Sequence, residues 1–210
     1  MKYNSNILYA VLGIATSVFS NQQYISDLKT IPQDVKYYTK NIIESSPFSQ
    51  ELYEKQYFRV WNLDKLSITL EDAKWAHKAF KVGNSYAENF QLHTQDFFTD
   101  NLDNGNYSEY LSLNKKAISI VNLNLRAFPT NKALLHDPKK AGEGFPFDYL
   151  QNSSIAANKP LLLSHYSKDG EWAFVESSFA FGWVKSRNIV TIDNTHSSIF
   201  QHSKHVFITE

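Results

Sequence analysis

The sequence contains no cysteine in 210 residues. Disulfides, thiolate metal sites and cysteine nucleophiles are therefore excluded. Nor does it carry an excess of charge: 21 Lys and Arg stand against 21 Asp and Glu, so no net field draws it to nucleic acid or to an anionic membrane. The N-terminal apolar run from Ile7 to Phe19 is broken by small and hydroxyl residues and falls short of the roughly 20 residues a bilayer span needs, so no transmembrane anchor is expected. A phosphate-cradling glycine loop and a GxSxG nucleophile elbow are also missing. His202 and His205 have metal-ligand spacing but sit in strand-like sequence without a third ligand, so neither a metal nor another cofactor is expected.

What is present is apolar and aromatic. The hydrophobic share is 42%, with 12 Tyr and 15 Phe, enough for one large or two small cores. That aromatic content favours β-rich packing or surfaces that touch peptide or carbohydrate.

Residues 1–20 have the form of a secretory signal peptide, with Val18 and Ser20 fitting a small-residue cleavage site before Asn21; the other reading is an N-terminal core helix. From 24 to 116 the pattern is helical and irregular. Val35, Tyr38, Ile42 and Ile43 lie near helical spacing before Pro47. Tyr53 to Leu63 alternates weakly and reads as an extended segment lying against a neighbour. Thr69 and Asp72 form a capping box opening a helix along Leu70, Ala73, Ala76 and Phe80, with Trp75 at its flank and Gly83-Asn84 as its stop. A further helix is expected around Gln95 to Leu102, ended by Asn104-Gly105.

Ala117 to Leu125 reads as a first strand, His136 to Gly144 as a long polar loop, and Leu161 to Tyr166 as another strand. Asp169-Gly170 is a two-residue hairpin signal. After it Trp172, Phe174 and Glu176 alternate with Ala173 and Val175, the period of a strand with one buried face, and Phe179 to Val184 forms the next. Trp172, Phe174, Trp183 and Val184 read as core, and Gly182 as a point of close backbone approach. Beyond Ile192, Phe200 and the alternating Val206, Phe207 and Ile208 suggest the start of a further strand.

Three motifs in one order carry a resemblance: Arg126 with Phe128-Pro129-Thr130, then PFDYLQNSS from Pro146 to Ser154, then the Trp172 and Trp183 strands. Together they resemble the bacterial SH3-like domain that precedes the catalytic domain of NlpC-type cell-wall cysteine peptidases. The preceding region, through YFRVW and the capped helix, resembles that family's helical stabilising segment. The expected fold is α+β, an irregular helical N-terminal segment followed by a small SH3-like β-barrel. The expected domains are a signal peptide (1–20), the stabilising segment (24–116), the SH3-like domain (117–193) and the start of a truncated further domain (194–210).

PFDYLQNSS concentrates polar side chains in a loop whose evident core residues are only Phe147 and Leu150. One reading is a turn satisfying itself through Asp, Asn and Ser side chains. The resemblance implies another: the loop faces the peptidase's substrate cleft, with Asp148, Tyr149, Gln151 and Ser153 as the candidates, Asp148 pairing with a free peptide amine and Tyr149 stacking on or hydrogen-bonding a short peptide. Arg126 is expected to clamp this loop or Asp148, a structural role shared with Trp172, Gly182 and Trp183.

The resemblance implies the non-catalytic, exported front portion of a peptidoglycan stem-peptide hydrolase that cuts between D-glutamate and a diamino acid. Its expected location is the periplasm or cell wall, and its partners are stem peptides and a peptidase domain in cis or in trans. Lacking cysteine, the chain is expected to be inactive alone. The alternatives are a free-standing periplasmic SH3-like module that binds wall peptides or a protein partner, and a decayed gene fragment.

Overall fold

Ser49 opens the main body of the chain: its hydroxyl accepts from Leu52 N at 3.3 Å and starts α2, Gln50–Tyr57. The structure, a computed structural model, describes residues 30, 32, 34–40 and 49–203. The chain divides into two units, Met1–Phe48 and Ser49–Glu210. In the first, Asp34 caps a one-turn helix α1, Val35–Thr39. The apolar run 7–19, the cleavage site, Ile42 and Ile43, and the segment 206–208 lie outside the described residues.

The expectation of an extended segment over 53–63 is corrected. The stretch is helical, continuing from α2 into a 3-10 turn at Arg59–Asn62. The physical reason is local: Gln50 to Tyr57 contains no β-branched residue or glycine, and the Ser49 cap supplies the missing acceptor. The tighter turn drives Phe58, Val60 and Trp61 into the core. Thr69 and Asp72 do form a capping box, opening α3, Leu70–Ala73. The helix then breaks at Lys74 and restarts as α4, Trp75–Ala79, so Phe80 caps it and Gly83 does not end it. α5 runs Gln95–Asn104 as expected. The left-handed residue after it is Asn106, at φ 48°, while Gly105 stays right-handed.

Seven antiparallel strands follow: β1 Lys115–Ser119, β2 Leu123–Arg126, β3 Gln151–Ile155, β4 Pro160–Tyr166, β5 Trp172–Glu176, β6 Phe181–Lys185 and β7 Ile189–Thr191. Their order is β3-β2-β6-β5-β4-β1-β7, and the fold is α+β with an SH3-like barrel. The single strand expected over 117–125 is two strands. Ser119 accepts from Lys159 N at 2.8 Å and donates to Ala156 O at 2.7 Å, Asn122 accepts from Ala157 N, and the chain bends through the exposed Ile120 and Val121 before β2 joins β3 and β6. The Asp169-Gly170 turn is also longer than two residues. Ser167 N pairs with Trp172 O at 2.9 Å across four intervening residues, with Gly170 at φ 72°.

The strands expected to bury one face bury both. Leu161, Leu163, Ala173, Val175 and Val184 fill the barrel interior with Leu125 and Ile155. Leu162, Trp172, Phe174 and Trp183 point the other way, where Phe58, Val60, Trp61, Leu66 and Tyr107 of the helical segment cover them. Two polar contacts fix that cover. The Trp61 indole donates to Ala117 O at 3.1 Å and Leu161 O at 3.0 Å. The buried Glu176 carboxylate accepts from Ser67 N at 2.7 Å, Ser67 Oγ at 2.5 Å and Arg59 Nη2 at 2.8 Å. A third cluster, Phe97, Phe98, Ala127, Phe128, Leu134 and Leu150, packs α5 beneath the 127–150 loops.

The expected strand at Phe200 is corrected to a helix, α6, Asn194–His202. Asp193 caps it, accepting from His196 N at 2.7 Å, and Phe200 turns onto Phe58 and Trp61 with ring centroids 6.1 and 5.7 Å away.

Candidate functional site

Arg126 ends β2 opposite Trp183 of β6 and is 5% exposed. A buried guanidinium needs acceptors for its fork of donors, and the 130–132 and 148 loop residues and the first residue of β3 supply them. Nε donates to Thr130 O at 3.0 Å and Nη2 to Lys132 O at 2.8 Å. Nη1 donates to Asp148 Oδ2 at 2.5 Å and Gln151 Oε1 at 3.2 Å. Asp148 Oδ1 in turn accepts from Leu134 N at 3.1 Å and Leu150 N at 2.9 Å. The pair therefore staples the end of β2 to the 130–134 and 146–151 segments, the structural clamp expected of Arg126. Such charge-assisted contacts are about twice as strong as neutral ones.

Beside this clamp lies an open cleft of about 720 Å³, lined by Asn124, Arg126, Pro146, Phe147, Asp148, Tyr149, Gln151 and Asn152. Three of the four candidate residues, Asp148, Tyr149 and Gln151, thus share one cleft. Ser153 is not among its walls; it is half-buried within β3 opposite Leu125. The loop reading of PFDYLQNSS holds only to Leu150, since Gln151 to Ile155 is a strand at one edge of the sheet. Phe147, read from the sequence as a core residue, is 52% exposed at the cleft wall, whereas Leu150 is fully buried.

Gln151 Nε2 donates to Ser153 O at 2.6 Å, and Asn152 Nδ2 to Phe181 O at 3.2 Å. Tyr149 donates its hydroxyl to Glu143 Oε2 at 3.2 Å; desolvation and then the Glu143 charge push its ionisation above the ordinary tyrosine range. The sequence reading missed Asn124, whose signal is its outward place in the alternating NLNLR from Asn122 to Arg126, and it treated His136 and Glu143 only as parts of a polar loop. Trp172, Trp183 and Gly182 lie behind the site: both tryptophans are core, and a Cβ on Gly182 would meet the Arg126 backbone. Among the described residues no group of His, Asp and Glu could hold a metal ion, and no helix is long and apolar enough to cross a membrane. His202 ends α6, and His205 lies outside the described residues.

A buttressed SH3-like barrel with a loop-borne polar cleft is the class these observations define. Residues 8–110 match the model of the N-terminal NLPC_P60 stabilising domain, and residues 134–185 match that of the SH3 domain of SH3b1 type. The chain thus carries an NLPC_P60 stabilising domain followed by an SH3b1-type SH3 domain. It is similar in fold to a solved structure described as a novel NlpC/P60 endopeptidase from Photobacterium damselae subsp. piscicida, with a TM-score of 0.65 and 23% identity. The match covers 70% of this chain and 36% of that one, so the chain spans about a third of that endopeptidase's length. No curated protein matches it.

Proposed function

We propose that the chain is the exported, non-catalytic front portion of a peptidoglycan stem-peptide hydrolase, whose barrel forms one wall of the substrate cleft. On this reading residues 1–20 are the export signal, 24–116 stabilise the barrel and 117–193 carry the cleft wall, while α6, expected to open a further domain, packs through Phe200 onto Phe58 and Trp61 of this one. Its partners are the stem peptide and a peptidase domain. The periplasm or cell wall is its place of work.

The observation that carries the reading is the state of Asp148. An ionised carboxylate offers about four acceptor positions, and Leu134 N, Leu150 N and Arg126 Nη1 occupy three. Oδ2 keeps room for one more donor, and the side chain is 21% exposed, whereas that of Arg126 is 6% exposed. The cleft therefore presents a fixed acceptor to a ligand, with Tyr149 and Phe147 as apolar flanks and Gln151 as an amide wall. A short peptide with a free amino terminus fits that chemistry, because an ammonium is a compact donor that a held carboxylate binds without reorganising.

Calorimetry with a free-amine stem peptide and its N-acetylated form tests this. The free-amine form should bind the purified chain and the acetylated form should not. Equal binding by both, or by neither, overturns the role of Asp148. The same preparation should leave muropeptides uncut until a peptidase domain is supplied.

A further inference from the structure

Tyr149 is gripped at the cleft by two residues that line no part of it. Glu143 Oε2 accepts the Tyr149 hydroxyl at 3.2 Å and lies 3.2 Å from His136 Nδ1. The His136 and Tyr149 rings are 3.8 Å apart between centroids. His136 N donates to Glu143 O at 3.1 Å, so the loop from 136 to 144 closes on itself at the place where it holds the tyrosine. We propose that Glu143 and His136 are positioning residues that fix Tyr149 at the cleft, and that protonation of His136 tightens their hold. The proposal rests on the reading of the cleft as a peptide site.

The physical step is a tautomer problem. Neutral imidazole can donate from Nδ1 or from Nε2 but not from both. In the Nε2–H form it sets a lone pair against the Glu143 carboxylate, and the contact is lost. Once protonated, both nitrogens carry hydrogen, and the Nδ1 contact becomes charge-assisted in every copy.

The surroundings leave Glu143 as the group that answers this charge. Phe80, with its ring 6.4 Å from His136, brings none, and Tyr149 is neutral while its hydroxyl donates to Glu143. On the same loop, Asp137 Oδ1 accepts from Lys139 N, while the Lys139 and Lys140 ammonium groups form no ion pair among the described residues. Asp148, next to Tyr149, is engaged by Arg126. The His136 and Glu143 side chains are 37% and 38% exposed. The effect is therefore of the size of a surface pair, about a threefold change in affinity.

The experiment has two readouts on the full chain. First, the Tyr149 ring signals are assigned by nuclear magnetic resonance against Tyr149→Phe and followed from pH 8 to pH 5.5. They should move with the His136 imidazole signals in the wild type, stay still in His136→Gln, and move less in Glu143→Gln, where only the ring contact at 3.8 Å remains. Tyr149 signals that ignore His136, or that move equally in the variants, overturn the proposal whether or not a peptide binds. Second, calorimetry with the free-amine stem peptide should show affinity rising about threefold on acidification in the wild type and flat in both variants. Binding with the same pH slope in all three overturns the positioning role and leaves the peptide site standing. Absence of binding at every pH overturns the peptide site, and the ring signals then decide the positioning role alone. Unchanged amide spectra outside 134–150 establish that the variants fold.

Discussion

A Cβ built on Gly182 would lie 2.6 Å from the carbonyl oxygen of Arg126, so β6 and β2 approach backbone to backbone directly behind the cleft. Real Cβ atoms essentially never come this close to a backbone oxygen, and Gly182 holds φ 154°, a conformation that side chains rarely adopt.

Gly182→Ala should therefore cost about 2 to 4 kcal/mol in denaturant unfolding, in the range of overpacked cores with added backbone strain. Because the displaced atom belongs to Arg126, peptide affinity at the cleft should fall as well. A fully stable variant would show that the two strands separate more readily than their contact implies.

Arg126→Lys tests the clamp without removing its charge. Lysine cannot reach Thr130 O, Lys132 O, Asp148 and Gln151 with one fixed fork. We expect a loss of about 2 to 3 kcal/mol, as for other buried groups left without partners, together with faster proteolysis within 130–151. Wild-type stability in this variant would mean the loops hold themselves.

Glu176 binds the helical cover to the barrel. Arg59→Ala should destabilise by about 1 to 3 kcal/mol, below the usual figure for a buried pair, because the Arg59 side chain is 35% exposed and Ser67 keeps two contacts to the carboxylate. Glu176→Leu, which removes the buried acceptor, should cost more, since Ser67 N and Arg59 lose it together. Equilibrium unfolding of the two variants orders these effects.

Mild acid should weaken the fold through its buried histidines. Desolvation, then the Lys74 charge, holds His77 down at about 4, with its Nε2 3.2 Å from the Tyr107 hydroxyl. Desolvation also lowers His165, against the opposing pull of Gly105 O. Unfolded histidine takes up its proton near 6.5. Between about 6.5 and 4 the unfolded chain therefore binds more protons than the folded one, and stability falls as pH falls through that window. Chemical denaturation at pH 7 and pH 5 should differ by on the order of 2 kcal/mol. His77→Phe, which stacks on Phe128 as the imidazole does at 4.3 Å, should flatten part of that slope.

The barrel was legible in the sequence because its signals are local and redundant: Trp172, Phe174 and Trp183 alternate, and Gly170 marks the turn. The same alternation could not reveal that both faces of those strands are buried, since the second face is covered by Phe58 and Trp61, more than 100 positions away. Tyr53 to Leu63 was misread as extended because its aromatics suggest a strand, whereas the Ser49 cap and the lack of β-branched residues up to Tyr57 favour a helix. Asp148 and Tyr149 stood out as polar residues in a loop. His136 and Glu143 did not, because what distinguishes them is that both reach a third residue, a relation that no spacing encodes. Ser153 shares its neighbours' polar composition, but the register shift between β2 and β3 pairs it with the buried Leu125, while Gln151 pairs with Arg126 at the cleft.

The indole of Trp61 supplies a donor to Ala117 and Leu161, one carbonyl on each of two paired strands. The barrel is therefore not an exchangeable cassette. A recombinant fragment beginning at residue 117 would strip Leu162, Trp172, Phe174 and Trp183 of their apolar cover and leave those carbonyls to water. Gene fusion or shuffling that keeps the barrel soluble has to carry the chain from residue 49 onward, so the unit of inheritance here is larger than the strands that give the domain its shape.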